Sequence, residues 1–392
     1  MAPPRQLPAL TDDLLDEIFV RIGCPAALTR ASAASVAFRR LITDPTFLRR
    51  YRTRHRPLLL GFFSYQASEG FHPIEAPHPN APASRAVASI SAVDYLPPNK
   101  TNQWFKTNNW HISDIRDGRL LMECDDVDDP FVLLPVYVVC DPLSRTYLML
   151  PPLRPYCGEQ ILHEVDALFV PCAEKDDETS FRVICTMHYE KNLAVSLFFD
   201  SGYGSWTVGK SFSWNALISS NEQESYIRIL PRPYYVYGSI YWRVVGMNKL
   251  LKLNINAMEF SMVDLPLGHD GPSAIFVEAG EGRLGMFSRT ADGKFLNYYC
   301  YDSIENEDQR ANEWQLKNVI PLHVLDHPRI SGASQPYIFL KGNSEVQDSM
   351  HTTIYSLDIK TLKIERVNRL SCRSFTGRSY FGFPPWMSPK RI

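Results

Sequence analysis

Between Leu7 and Phe47 apolar residues recur at helical spacing, whereas beyond about residue 58 they fall in short runs of strand type. The chain therefore reads as mainly β with a small α head. In the head, Leu14, Ile18 and Ile22 form one stripe and Leu15 and Phe19 an adjacent one, so a helix over 12–22 is apolar around more than half its circumference. Thr11 is its expected N-cap, Asp12 and Asp13 place negative charge in the first turn, and Gly23 with Pro25 ends it. A second helix is expected from about Pro25 through Leu28 and Ala31. A third carries Val36, Leu41 and Ile42, and Asp44-Pro45 opens a fourth around Phe47, Leu48 and Tyr51. A module of roughly forty to fifty residues rarely buries enough surface to stand alone. Its surplus apolar surface points to a partner protein, or to docking on the β body.

In the body, the runs SAIFVEA (273–279), RLGMFSR (283–289), FLNYYCYD (295–302) and EWQLKNVI (313–320) predict an antiparallel four-stranded meander. The unit recurs with a third strand that ends in Asp or Asn. Its markers Asp141, Asp200, Asn254, Asp302 and Asp358 succeed one another at a spacing of roughly fifty residues. Four strands per period predict a β-propeller of about six four-stranded blades, kelch-like in repeat length, and no Trp-Asp dipeptide occurs. Five units lie between 105 and 370. A sixth is assembled from 58–66 and 84–97 and closed by SYFGFP at 379–384, which would remove exposed edges. Residues 66–103, rich in Pro, Ala, Ser and Asn, read as a long surface insertion. A pair of large β-sandwiches is the alternative architecture.

At 392 residues, 45% hydrophobic and 12% aromatic, the chain accommodates one small and one large globular unit. A formal net charge of -2 argues against a dedicated nucleic-acid or membrane-surface protein, so neither is expected as a partner. The start MAPPRQLPAL lacks the apolar core of a secretory signal, and the longest apolar run, 131–140, is broken by Pro135. A soluble, intracellular protein is expected, in cytoplasm or nucleus. Eight scattered cysteines without a CxxC read as reduced, mostly buried thiols, and Asn99 in its glycosylation triplet reads as inert.

The Leu7-Pro8 opening, the acidic DDLLDEIF helix, the Arg21-Ile22 end, the Ala- and Ser-rich middle helix, the Phe38-Arg39-Arg40-Leu41-Ile42 run and the Asp44-Pro45-x-Phe47 close together resemble an F-box. Phe38 stands where many F-boxes carry tryptophan, and Gly23-Cys24-Pro25 stands where a Leu-Pro pair is common. The following LRRYRTRHRPLLLGFF (48–63) resembles the passage of plant F-box proteins into an F-box-associated β domain. The resemblance implies an F-box helical domain over 5–56 and a substrate-recognition domain over 57–392. It also implies docking to a Skp-family adaptor, and through it to a cullin, within a Skp/cullin/F-box ubiquitin ligase. On this reading the adaptor contact uses Leu7, Pro8, Leu14, Leu15, Ile18, Ile22, Leu28 and Val36. Sequence does not divide these between the partner face and the head's own core.

Candidate chemistry is sparse. Asp125, Asp126, Asp128 and Asp129 lack the glycine and bidentate Glu of a calcium loop, and Asp176, Asp177 and Glu178 read as a second solvated acidic loop. His323 and His327 are bracketed by prolines with no further ligand nearby. Arg49, Arg50, Arg52, Arg54 and Arg56 read as the solvated end of the last head helix. Asp200 to Trp206 is similar to a glycosidase aspartate box but fits a tight hairpin better. No hydrolase, zinc-protease or nucleotide-binding motif occurs, so no catalytic residue, metal or cofactor is expected. The longest loops fall at one end of the blades, between second and third strands and between fourth strands and the next blade. Tyr156 and Trp214 on those loops are the expected anchors for an unidentified protein substrate. A propeller glycosidase and a ligase-independent interaction protein are the rival readings.

Overall fold

The computed structural model describes residues 10–90, 96, 110–124, 134–155, 162–172, 178–189, 193–213, 232–266, 274–303, 312–322, 328–343, 351–370, 375–388 and 392. Four short helices form the head: α1 (Asp12–Val20), α2 (Pro25–Ala34), α3 (Val36–Ile42) and α4 (Pro45–Arg54). Their boundaries follow from local chemistry. The Thr11 hydroxyl accepts the N–H of Leu14, Pro25 opens α2, and the Asp44 carboxylate accepts the N–H groups of Thr46 and Phe47 at 2.8 and 3.3 Å.

The body is a ring of six sheets. The first blade pairs β1 (Leu58–Ser64) with β2 (Phe71–Pro73) on one side and β23 (Gly377–Gly382) on the other. The second is β3 (His111–Arg116), β4 (Arg119–Cys124), β5 (Val136–Asp141) and β6 (Thr146–Met149). The third is β7 (Leu162–Val170), β8 (Arg182–Tyr189), β9 (Leu193–Asp200) and β10 (Ser205–Ser213). Next come β11 (Tyr234–Val236), β12 (Ser239–Arg243), β13 (Lys249–Asn254) and β14 (Glu259–Asp264). The fifth is β15 (Ala274–Glu278), β16 (Leu284–Arg289), β17 (Phe295–Ser303) and β18 (Asn312–Pro321). The sixth is β19 (Arg329–Ser334), β20 (Tyr337–Asn343), β21 (Thr352–Asp358) and β22 (Ile364–Leu370). Within the last five, consecutive strands pair in meander order. Inner strands pack on their neighbours, β3 on β23 and β7, β15 on β11 and β19, and β19 on β23. The molecule is a β-propeller whose ring is closed by β23 lying against β1.

Closure through the C-terminal strand agrees with the sequence expectation, but the partner of 58–66 does not. The second strand comes from 71–73, and residues 81–85 form a short helix, α5 (Ala81–Arg85). The first blade has three strands among the described residues. Nor is the described part of 66–103 a surface insertion, since Ala67, Ile74, Ala81 and Val87 are buried. The side-chain hydroxyl of Ser84 accepts the N–H of Ile74 at 2.7 Å and donates to the carbonyl of Leu60, and its small neighbours let the segment tuck against β1.

Alternating residues of each strand feed two different cores, one on each face of a blade. On β8, for example, Val183, Cys185 and Met187 join the second blade's Leu121, Tyr137 and Val139, while Ile184 on the opposite face joins Trp242 and Leu251 of the fourth. The repeat markers explain themselves. The side-chain oxygens of Asp141, Asp200, Asn254 and Asp358 each accept backbone N–H groups two or three residues on, making an Asx turn into the fourth strand. Four residues after each marker the chain turns left-handed, at Arg145 (φ 55°), Gly204 (66°), Met258 (54°) and Leu362 (57°). The Asp302 side chain lies outside the described residues. Cys124, Cys140, Cys185 and Cys300 are buried as expected, whereas Cys24 is exposed and Cys172 half-buried. No helix among the described residues is long and apolar enough to cross a membrane.

Candidate functional site

Two places carry unused chemistry, the outer face of the head and the mouth of the propeller channel. In the head, Phe19, Val20, Leu28, Ile42, Phe47 and Tyr51 form a core completed from the body by Phe383 and Met387. Phe19 meets Phe38 edge-on at 5.1 Å, which turns the Leu15 and Phe19 stripe of α1 inward. The other stripe is consequently turned out: Leu14 is 53% and Ile18 48% exposed. Arg40 to Asp12 at 3.0 Å, and Arg50 to Asp16 and Glu17, tie α1 to α3 and α4 and hold that face outward.

The structure thus divides the expected adaptor set. Leu14, Ile18 and Val36 (82% exposed) are available to a partner, while Leu15 and Ile22 are half-buried against the head core. Leu28 is wholly buried, a correction to its place among the contact residues: the second helix turns it into the centre of the head. Leu10, 53% exposed and just ahead of the N-cap Thr11, is a further exposed apolar residue at this end of the helix, outside the helical stripe that the sequence pattern shows. Leu7, Pro8, Tyr156 and Trp214 lie outside the described residues, as do Asp125 to Asp129, Asp176, Asp177, His323 and His327.

The arginine run and the second acidic loop are not simply solvated. Arg52 donates through Nε and Nη2 to both carboxylate oxygens of Glu178 at 2.8 and 2.7 Å, and through Nη1 to the carbonyl of Met387 at 2.6 Å. Such a forked, charge-assisted pair fixes geometry as well as adding energy. Arg119 steadies the same loop by donating to the carbonyls of Glu178 and Thr179.

At the channel, the starts of the inner strands bring together side chains that are far apart in sequence. The Tyr65 ring, just beyond β1, stacks on His111 at 4.8 Å, and the guanidinium of Arg232 lies 4.9 Å from the same ring centre. Arg378 Nη1 is 3.5 Å from Asp114 Oδ1, and Asp114 Oδ2 accepts the N–H of Phe169 at 2.9 Å, so both oxygens of Asp114 are engaged. Arg232 adopts a left-handed backbone (φ 71°), and its N–H donates to Asp166 Oδ1 at 3.4 Å.

Asp166 is nearly buried, and burial, with Glu164's charge behind it, pushes its carboxyl up to about 7. It heads a polar row across the third blade, Asp166, Thr186, Ser196, on the face packed against Trp242. Among the described residues the Thr186 and Ser196 hydroxyls and both ring nitrogens of adjacent His188 have no hydrogen-bond partner, and burial drives the His188 imidazole down to about 3. Sequence reasoning passed over this cluster. The signal available was Asp166 beside the apolar ALFV end of its strand run; Asp114 sits in the mixed run HISDIR and gives none. Among the described residues no group of His, Cys, Asp and Glu is arranged for a metal ion.

No family model and no curated sequence matches the chain. Among solved structures it is similar to an exo-β-1,3-galactanase from Phanerochaete chrysosporium, at 11% identity and TM-score 0.34 over 65% of this chain and 61% of that one. It is similar to the SapL1 lectin at 12% identity and TM-score 0.37, over 67% and 80% of the two chains. The β-propeller domain of the Trilobed protease from Pyrococcus furiosus gives 10% identity and TM-score 0.35, over 66% and 69%. The match spans less than two thirds of the galactanase.

Proposed function

We propose that this chain is the substrate-recognition subunit of a Skp/cullin/F-box ubiquitin ligase: the head docks a Skp-family adaptor and the propeller presents a target protein. The observation that carries this reading is the outward stripe of α1. Leu14 and Ile18 keep about half their surface in water, on the side of the helix opposite the residues that build the head core, and Leu10, just ahead of the N-cap, is equally exposed. An amphipathic helix needs one apolar face to pack; a second one fits a partner protein. The F-box resemblance names that partner as the adaptor, with Leu7, Pro8 and Val36 as further contacts. The target is then held at the channel end where the inner strands begin, with Tyr156 and Trp214 as its anchors on the sequence reading. The chain itself performs no chemistry in this reading; it brings a substrate near the enzymes that transfer ubiquitin.

A second reading, a propeller hydrolase, draws on two carboxylates at the channel, Asp166 with a raised pKa and Asp114 beside an arginine. Asp166 sits on the blade face packed against Trp242, and Asp114 has both oxygens occupied, which favours the adaptor reading. Co-expression with a Skp-family adaptor tests it. The wild-type chain is expected to co-purify with the adaptor and a Leu14→Asp/Ile18→Asp variant to lose it. Equal capture by the two, or none by the wild type, would remove the proposal.

A further inference from the structure

The third blade meets the fourth across a face that changes character along its length. One row is apolar, with Leu168, Ile184 and Phe198 standing opposite one another on β7, β8 and β9. One step along the same face, toward the start of β7, the corresponding row is Asp166, Thr186 and Ser196, and His188 lies one step further on β8. None of these four is more than 7% exposed. The fourth blade packs on this face with Trp242, Val244 and Leu251, whose side chains carry a single polar atom, the indole nitrogen.

Asp166 is engaged, taking the Arg232 N–H at 3.4 Å and facing the Trp242 indole. The other three are not: among the described residues neither hydroxyl and neither His188 ring nitrogen has a hydrogen-bond partner. A Thr and a Ser set opposite each other on paired strands can bond together, yet Thr186 and Ser196 do not. Buried polar side chains are rarely left so, and three in one place point to a ligand. Its chemistry follows from what they offer. Each hydroxyl both donates and accepts, and His188, which burial keeps neutral, presents one N–H and one bare nitrogen. An anion would meet only the donors and a cation only the lone pairs, whereas water serves both. The side chains opposite one another here are small, Thr186 with Ser196 and His188 with Ala194. The His188 and Trp242 rings stand 6.3 Å apart at 72°, against 5.1 Å at 70° for the edge-on contact of Phe19 with Phe38. A smaller ring held further off leaves space between the blades.

We infer that the seam between the third and fourth blades is an internal hydration site, in which buried water bridges Thr186, Ser196 and His188. The site is separate from the adaptor-docking head, because no head residue takes part. It makes water a structural component of this one seam, joining a polar strip of the third blade to an apolar face of the fourth.

A crystal structure of the full chain, at a resolution that shows ordered water, tests the site directly. Solvent density within hydrogen-bond reach of at least two of Thr186 Oγ1, Ser196 Oγ and the His188 ring nitrogens is expected. Density showing these groups bonded to each other or to other protein groups, with no solvent among them, would overturn the proposal. Thr186→Val, which keeps the shape and removes the hydroxyl, gives an independent reading in solution. Replacing an unbonded buried hydroxyl by a methyl group stabilises a dry core, whereas removing one that holds water costs stability. The melting midpoint should therefore fall by about 1–3 °C. Oxygen-17 relaxation dispersion, which counts waters held longer than the protein tumbles, should lose at least one water relative to the wild type. A midpoint that is unchanged or raised, with the same count of held waters, would mean a dry seam. Ser196→Ala is the second variant, expected to act in the same direction, and the wild-type structure decides the matter if neither variant folds.

Discussion

Tyr51, in the last head helix, meets Phe383, just beyond the closing strand, edge-on with ring centres 6.2 Å apart. The head core is therefore finished by residues that belong in sequence to the body. The F-box resemblance places the division at 56/57, and a ring of blades that pack on their neighbours should fold without the head as a 58–392 fragment. The isolated fragment should still melt cooperatively with β-type circular dichroism, because every blade packs mainly on its neighbours. It should melt below the full chain, however, with Phe383 and Met387 uncovered. Within the full chain, Phe383→Ala should cost about 3–5 kcal/mol in denaturant unfolding. A fragment melt equal to that of the full chain would show that the contact contributes nothing.

Ile18 and Leu28 separate partner surface from core. Ile18→Asp places its charge in water and should change stability by less than about 0.5 kcal/mol while abolishing adaptor capture. Leu28→Asp buries an unpaired carboxylate and should unfold the head, at a cost of several kcal/mol, roughly. Equal loss of stability in the two variants would contradict the assignment of faces.

Gly61 of β1 sets the closing seam. A Cβ there would lie 2.4 Å from the carbonyl oxygen of His72 and 2.3 Å from the Phe71 ring. Gly61→Ala should therefore destabilise by about 1–3 kcal/mol through forced separation of β1 from β2. Hydrogen exchange should locate the loss in the first blade rather than uniformly around the ring.

Asp166 makes stability fall as pH rises. Its folded pKa of about 7 exceeds the roughly 3.9 of an unfolded aspartate, so its contribution is fully present below pH ~4 and is lost between there and about 7. Asp166→Asn should therefore gain on the wild type as pH increases through this window and hold a constant difference above it. Urea melts at acidic, neutral and mildly alkaline pH read this directly, and a difference that shrinks with pH would reverse the sign.

Asp358 behaves in the opposite sense. Partial burial pushes its carboxyl up, but the N–H and hydroxyl of Thr361 and the N–H of Lys360 outweigh this and hold it below the ordinary value. Its contribution is present above the unfolded value of about 3.9 and is lost as pH falls through the lower folded one. Asp358→Asn retains the accepting oxygen, as Asn254 does naturally, but not the charge, so it should be less stable than the wild type at neutral pH, with the difference shrinking as pH falls through the lowered folded value. A difference that stays constant as pH falls would mean that the charge contributes nothing there.

What the sequence made legible is what depends on near neighbours. Thr11, Pro25 and Asp44 cap or open helices through contacts within three residues, and the Asx markers announce their own turns. The two stripes of α1 are equally apolar, so which one faces inward depends on where Phe38 and the α4 residues Phe47 and Tyr51 pack. Strand β2 is three residues, too short to show alternation, and exists because β1 offers it an edge. The channel cluster was hidden for the same reason, since Tyr65, Asp114, Arg232 and Arg378 become neighbours only when the ring closes.

The pairing of β1 with β23 also dictates an order of events on the ribosome. Arg52 reaches a carbonyl 335 positions later, and Asn368 donates to one 295 positions earlier. Middle blades can stack as they emerge, but the first blade and the head both wait for 377–387 to leave the exit tunnel. Until then the head and first blade, though made before the other blades, are the least finished, with an open strand edge and an uncovered helical core. Premature termination anywhere before 377 would strand both ends at once, leaving a product that exposes the very surfaces on which chaperones and proteases act.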